Sequence, residues 1–241
     1  MGASERRAAG ADELLMTIRE KRNIRLELRD GHPDKIAAMA ARGDYMSESL
    51  VGKTFDEAME GTDKTHQEFL DDKAYRGHFG VFEHKPPAFF VEGLSRVGMA
   101  QILRHRFLSG DVQSQRYVNF EDKEPVIPPT FRETNLNSML TFEDLLLDHW
   151  SQSVNCYQRA IAEGIPEEDA RFFLPQATPV NMTISGNNRA WMHVMDLRDN
   201  AKSQWEAQDL AGLIGAELEE YAPKTFSAYD RKTNNNSLRA P

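Results

Sequence analysis

Hydrophobic residues along the chain fall into short blocks, and the period of each block predicts an element. Ile24, Leu26 and Leu28 alternate with charged residues, the period-two pattern of a half-buried strand. The residues before them are mostly polar, with a short helix expected over Glu13–Arg19. Pro33 then opens an alanine-rich helix running from Asp34 to about Arg42, with an acid in the first turn, where it faces the positive end of the helix dipole. Thr54 stands where it caps a short helix beginning FDEAME, and a further helix is expected over Lys64 to Lys73.

Pro86-Pro87 breaks the chain, and Ala88-Phe89-Phe90-Val91 reads as a buried strand. Ser95 caps the next expected helix, which carries Val97, Ile102 and Leu103 and ends near Arg106. Residues 121–138, with Pro125, Pro128, Pro129 and several Asn and Thr, read as a long loop or insertion. A long helix follows from about Phe142 to Glu163, with Leu146, Trp150, Val154, Tyr157 and Ile161 on one stripe. Pro166 starts a short helix through Glu167, Glu168 and Asp169, ending near Leu174-Pro175. Val180 to Ile184 reads as a strand, Asn187 caps a helix to about Leu197, and another runs from Ala201 to Glu220. The expected fold is a helix-rich α/β or α+β single domain with few strands over residues 21–229. A polar segment, 1–20, precedes it and a polar, Asn-rich tail, 230–241, follows.

Composition narrows what such a domain does. The 241 residues suffice for one substantial core, and no apolar run approaches the roughly 18 residues that span a bilayer. The stretch MGASERRAAGADELL lacks the apolar block of a secretory signal, so a cytoplasmic location is expected. Cys156 is the only cysteine, which leaves no intrachain disulfide and no cysteine-built metal site. The net charge of −9 opposes general adhesion to nucleic acid or anionic lipid. Any bound anion must be held by a local group of cations, so the positions of the arginines carry the most information.

The densest such group is Arg104-His105-Arg106, followed by Ser109, Ser114, Arg116 and Tyr117. Gln101 lies one helical turn before Arg104, on the same expected face. Cations at a helix C-terminus also simply offset the dipole, but guanidinium forks and hydroxyls at these offsets suit a phosphate or diphosphate. A second group is Asn187, Arg189, His193 and Arg198, which read singly is a solvated helix face. Arg171 follows the acidic turn Glu167–Asp169, where an ion pair is the plain alternative. In Gly77-His78-Phe79-Gly80 and Phe82-Glu83-His84, His78 and Glu83 offer an acid–base or hydrogen-bonding pair. His78 and His84 lack a third partner for zinc, and no metal is assigned.

Arg104-His105-Arg106, seven residues, then Ser114 and Arg116 resembles the signature of flavin-dependent thymidylate synthases. The likeness extends to His78 with Phe82-Glu83-His84, and to Arg171 with Leu174-Pro175. It continues through Asn187-x-Arg189, His193, Leu197-Arg198, Ala201 and Gln204-Trp205-Glu206. It runs in order from about residue 24 to 227. The resemblance implies that family's fold with a small central sheet, and methylation of dUMP to dTMP by a homotetramer whose active sites are shared between subunits. FAD would be the cofactor, with NADPH as reductant and 5,10-methylenetetrahydrofolate as one-carbon donor.

Carried over by position, the resemblance assigns dUMP to Gln101, Ile102, Leu103, Arg104, Val112, Gln113, Ser114, Gln115 and Arg116, with Arg171 and Arg198. FAD falls to Gly80, Arg104, His105, Arg106, Val112, Asn187, Asn188, Arg189 and His193, and the folate or flavin side to His78 and Glu83. Arg198 is the expected catalytic residue, stabilising negative charge that develops on the uracil ring. Cys156, off the Trp150–Ile161 stripe, is expected to be structural rather than a nucleophile. Three positions depart from the common pattern: Val112 where glutamate is frequent, Gly80 where a small hydroxyl residue is frequent, and His193 where asparagine is common. The alternatives are a non-catalytic flavin- or nucleotide-binding relative, and a nucleic-acid binder, which the net charge disfavours. No nucleic-acid or membrane partner is expected.

Overall fold

A computed structural model describes residues 15–21, 24–44, 46, 49–116, 118, 120, 122–135 and 140–234. No helix among the described residues is long and apolar enough to cross a membrane. The fold is helix-rich α+β with a small antiparallel sheet, and the chain divides into two compact units. The first comprises Met1–Pro87, Gly186–Asn200 and Asp209–Pro241; the second comprises Ala88–Ser185 and Ala201–Gln208.

In the first unit, β1 (Leu15–Lys21) and β2 (Ile24–Asp30) form an antiparallel hairpin. The helix expected over Glu13–Arg19 is therefore replaced by a strand from Leu15 onward, while Glu13 and Leu14 lie outside the described residues. A helix that short is marginal by itself, whereas pairing with β2 satisfies the backbone across seven residue pairs. Helix α1 (Pro33–Gly43) follows, burying Ala37, Ala38 and Ala41. Helix α2 (Phe55–Met59) and helix α3 (His66–Tyr75) each start in a reciprocal capping box, Thr54 with Glu57 and Thr65 with Glu68. The chain then makes a 3-10 turn at Phe79–Glu83. Later segments add α8 (Asn188–Arg198), most of α9 (Trp205–Tyr221) and α10 (Pro223–Asn234). Asp34, fully buried in α1, accepts hydrogen bonds from Lys224 N, Thr225 N and Thr225 Oγ1 at 2.9, 2.9 and 2.6 Å. Its carboxylate thus serves orphan N–H groups in the first turn of α10, a tertiary cap that sequence spacing does not reveal.

The second unit is built on a three-stranded antiparallel sheet with strand order β3-β5-β4: β3 (Ala88–Ser95), β4 (Ser109–Val112) and β5 (Pro179–Ser185). The central strand buries Val180, Met182 and Ile184 on alternate positions. Fully burying an apolar side chain of this size stabilises by about 1.5–3 kcal/mol. β3 is an edge strand rather than the buried strand expected: Phe90 is 87% exposed. Its register shifts between Val91 and Leu94, where Gly93 takes a positive φ of 78°.

Helix α4 (Arg96–Ile102) starts at Ser95, whose Oγ accepts from Gly98 N. It ends four residues before Arg106. Turns in which His105 N donates to Ile102 O, and Leu108 N to His105 O, replace the helix and deliver the chain into β4. The region expected to be loop contains α5 (Pro129–Glu133), while residues 121 and 136–139 lie outside the described residues. Helix α6 (Phe142–Ala162) buries Trp150, Val154 and Tyr157 of the expected stripe. Tyr157 and Ala160 form a cluster with Ala170 of α7 (Glu167–Ala170), and Ile161 and Leu174 pack against it. This cluster anchors the 3-10 turn Arg171–Phe173 that follows.

Candidate active site

In the second unit, Arg96 and Arg171 line one pocket with no carboxylate in its lining among the described residues. A pocket of about 330 Å³ is lined by Arg96, Gln115, Arg171, Phe172, Leu174, Pro175 and Gln176. Arg96 is the first residue of α4, held by its backbone N–H to Thr178 O at 3.1 Å. Arg171 enters from the turn after α7, where its Nε donates to the backbone carbonyl of Glu168 at 2.9 Å. The plain alternative of an ion pair between Arg171 and the acidic turn gives way to a bond to a carbonyl, and the Glu168 carboxylate pairs with Arg116. The Arg96 guanidinium makes no hydrogen bond or ion pair among the described residues. Burial and then the charge of Arg171 lower its proton affinity. Gln115 is 6% exposed, and its Nε2 has no hydrogen-bond partner among the described residues.

Two like charges and an unused amide donor at one pocket are costly unless an anion completes them. Guanidinium forks hold phosphate or carboxylate oxygens in two directions, so the pocket suits such an anion. Arg96 was missed by sequence reading. Its one signal was a cation at the first position of a capped helix, eight residues before Arg104.

The remaining predicted residues of this unit differ in exposure and in the partners they already have. Gln101 is half-buried in the last turn of α4, whereas Ile102 is buried in the core. Leu103, Arg104 and Arg106 are exposed just beyond the helix, and His105 is buried. Val112 ends β4, Gln113 N donates to Asn181 O at 2.8 Å, and Ser114 Oγ accepts from Arg116 N at 3.1 Å. Arg116 is already engaged by Glu168, with Nη2 and Nε at 2.8 and 2.9 Å from Oε2. Tyr117 lies outside the described residues. Cys156 is exposed on α6, so it does not serve the core.

In the first unit, helix α8 carries the second predicted group. Asn187 caps it through Oδ1, which accepts from Ala190 N at 2.8 Å. Asn188 is buried with Oδ1 unpartnered among the described residues, His193 is half-buried, and Arg198 is the last helical residue. Arg189 Nη1 lies 2.8 Å from Glu83 Oε1. Glu83 therefore pairs with Arg189 and not with His78, which is exposed, as is Gly80. Among the described residues no three His, Cys, Asp or Glu side chains gather as a metal site.

The family described as "Thymidylate synthase complementing protein" matches residues 26–224. The chain is 34% identical over 242 residues to the flavin-dependent thymidylate synthase of Halobacterium salinarum, covering 90% of this chain and 98% of that protein. It is 36% identical over 226 residues to that of Haloarcula marismortui, covering 83% and 92%. The chain belongs to the flavin-dependent thymidylate synthase family. The flavin-dependent thymidylate synthase of Geobacter sulfurreducens is a further relative, 33% identical over 195 residues and covering 80% of this chain and 81% of that protein. Every site residue named above from Gly80 to Arg198 lies inside the family match.

Proposed function

We propose that the protein methylates dUMP to dTMP, with FAD as cofactor, NADPH as reductant and 5,10-methylenetetrahydrofolate as one-carbon donor. The observation that supports this reading most strongly is the uncompensated Arg96–Arg171 pair beside the unused amide of Gln115. In this reading those three side chains hold the phosphate of dUMP. The backbone hydrogen bonds from Arg96 N to Thr178 O and from Thr178 N to Pro175 O tie together the segments that carry the pocket.

Gln101, Arg104, Ser114 and Arg116 contribute further polar contacts to the nucleotide. Arg198 stabilises the negative charge that builds on the uracil ring as carbon 5 becomes nucleophilic, so no cysteine needs to add to the ring. FAD, when bound and reduced by NADPH, would supply the hydride that completes the methyl group. Asn187, Asn188, Arg189 and His193, with Arg104 to Arg106, are assigned to hold it. The unpartnered Oδ1 of the buried Asn188 fits a hydrogen-bond donor of such a cofactor. His78 and Glu83 are assigned to its folate side. A cytoplasmic homotetramer that shares residues between subunits completes the reading.

A product assay for dTMP with NADPH and methylenetetrahydrofolate tests it. The wild-type protein forms dTMP and Cys156→Ser stays active, whereas Arg198→Ala loses about a hundredfold or more in turnover. Tight FAD retention with no dTMP under any reductant would leave the non-catalytic relative as the better reading. A folded but inactive Cys156→Ser would overturn the cysteine-free activation of uracil.

A further inference from the structure

A buried carboxylate outside the pocket's lining is bonded to the residue that starts its frame. Glu206 is 6% exposed, and no Lys, Arg or His pairs with it among the described residues. Its oxygens instead receive three donors: Ser95 N at 2.7 Å, Ser95 Oγ at 2.5 Å and Gln204 Nε2 at 2.9 Å. Ser95 passes this anchorage on, since the same Oγ accepts from Gly98 N at 3.1 Å and caps the first turn of α4. Arg96, the next residue, is pinned by its N–H to Thr178 O. The fit is close: a Cβ at Gly98 would lie 3.0 Å from Glu206 Cδ and 2.7 Å from Leu94 Cδ1.

We propose that Glu206 is a positioning residue for the phosphate pocket, fixing the start of α4 so that Arg96 is held beside Arg171. The proposal rests on the reading of that pocket as the phosphate site of dUMP. Two guanidiniums repel one another, and without an ion pair on Arg96 the backbone must hold it in place. A carboxylate suits the task because three donors converge on it, which an amide cannot accept without turning its own N–H₂ against one of them.

Titration of the full-length protein with dUMP, and with deoxyuridine as the phosphate-free probe, tests the proposal. Glu206→Gln keeps the side-chain volume and breaks the donor pattern. Ser95→Ala keeps the N–H bond to Glu206 and removes the hydroxyl's bonds to Glu206 and to Gly98 N, so it carries the test if the glutamine variant fails to fold. In Glu206→Gln the dissociation constant and KM for dUMP rise about tenfold, while kcat falls by a smaller factor. Ser95→Ala weakens dUMP in the same direction, and the loss in the double variant falls short of the sum of the two, because the two residues act through a shared bond. Affinity for deoxyuridine changes by less than about twofold, which separates the role from general loss of structure.

Unchanged dUMP affinity in folded variants, or equal losses for dUMP and deoxyuridine, would overturn the positioning role and leave the phosphate pocket standing. A wild-type protein with no preference for dUMP over deoxyuridine would overturn both.

Discussion

Arg189 in the first unit and Arg96 in the second are each placed by the start of a capped helix, yet their charges are handled in opposite ways. Arg189 has a carboxylate, Glu83, at 2.8 Å, with both side chains about one-third exposed at 38%. Arg96 shares its pocket with a second arginine, Arg171, and with an amide unpartnered among the described residues. The first arrangement is complete in the free chain, whereas the second calls for a ligand to complete it. Uncompensated charge is the more specific mark of a binding site, because folding alone gives no reason to gather it.

The comparison is tested most severely by removing the uncompensated pair. Arg96→Ala with Arg171→Ala raises the dUMP dissociation constant about a hundredfold, since two charge-assisted bonds to phosphate are lost. Calorimetric titration measures it, and a smaller loss than that of Arg116→Ala would reverse the ranking. Arg116 is intermediate, because Glu168 already holds it at an exposed position. Arg116→Ala with Ser114→Ala is expected to weaken dUMP about tenfold, and Val112→Ala by much less.

At the compensated end, Glu83→Gln costs less than about 1 kcal/mol of stability, the usual range for a partly exposed ion pair. Chemical denaturation checks this. A loss of several kcal/mol would mean that the Glu83–Arg189 pair supports more of the first unit than its exposure suggests.

What was legible in the sequence follows the range of the interactions concerned. The caps at Thr54, Ser95 and Asn187 act over three residues, so spacing alone places the helix starts they control. The group on α8 was legible for the same reason: Asn187 fixes the start, and helical spacing places Arg189, His193 and Arg198. Pairings across long separations were not legible. Leu15–Lys21 is a strand because β2 pairs with it, and α4 stops at Ile102 where the chain turns into β4. Glu83 lies 106 residues from Arg189, and Glu206 lies 111 from Ser95, so no local pattern joins them. Arg96 escaped notice because a lone cation at a helix start looks like surface until Arg171 and Gln115 are brought to the same pocket. The family signature around Arg104 does not include Arg96, the residue whose charge has no partner among the described residues.

The most direct measurement of the central claim compares dUMP with deoxyuridine in the wild-type protein and in Arg96→Ala. The two ligands differ only by the phosphate, so the ratio of their dissociation constants isolates what the pocket contributes. The wild-type protein is expected to prefer dUMP by about a hundredfold or more, and Arg96→Ala to lose at least tenfold of that preference with deoxyuridine binding nearly unchanged. If Arg96→Ala keeps the full preference for dUMP, the phosphate is bound elsewhere and the uncompensated arginine pair is not its anchor.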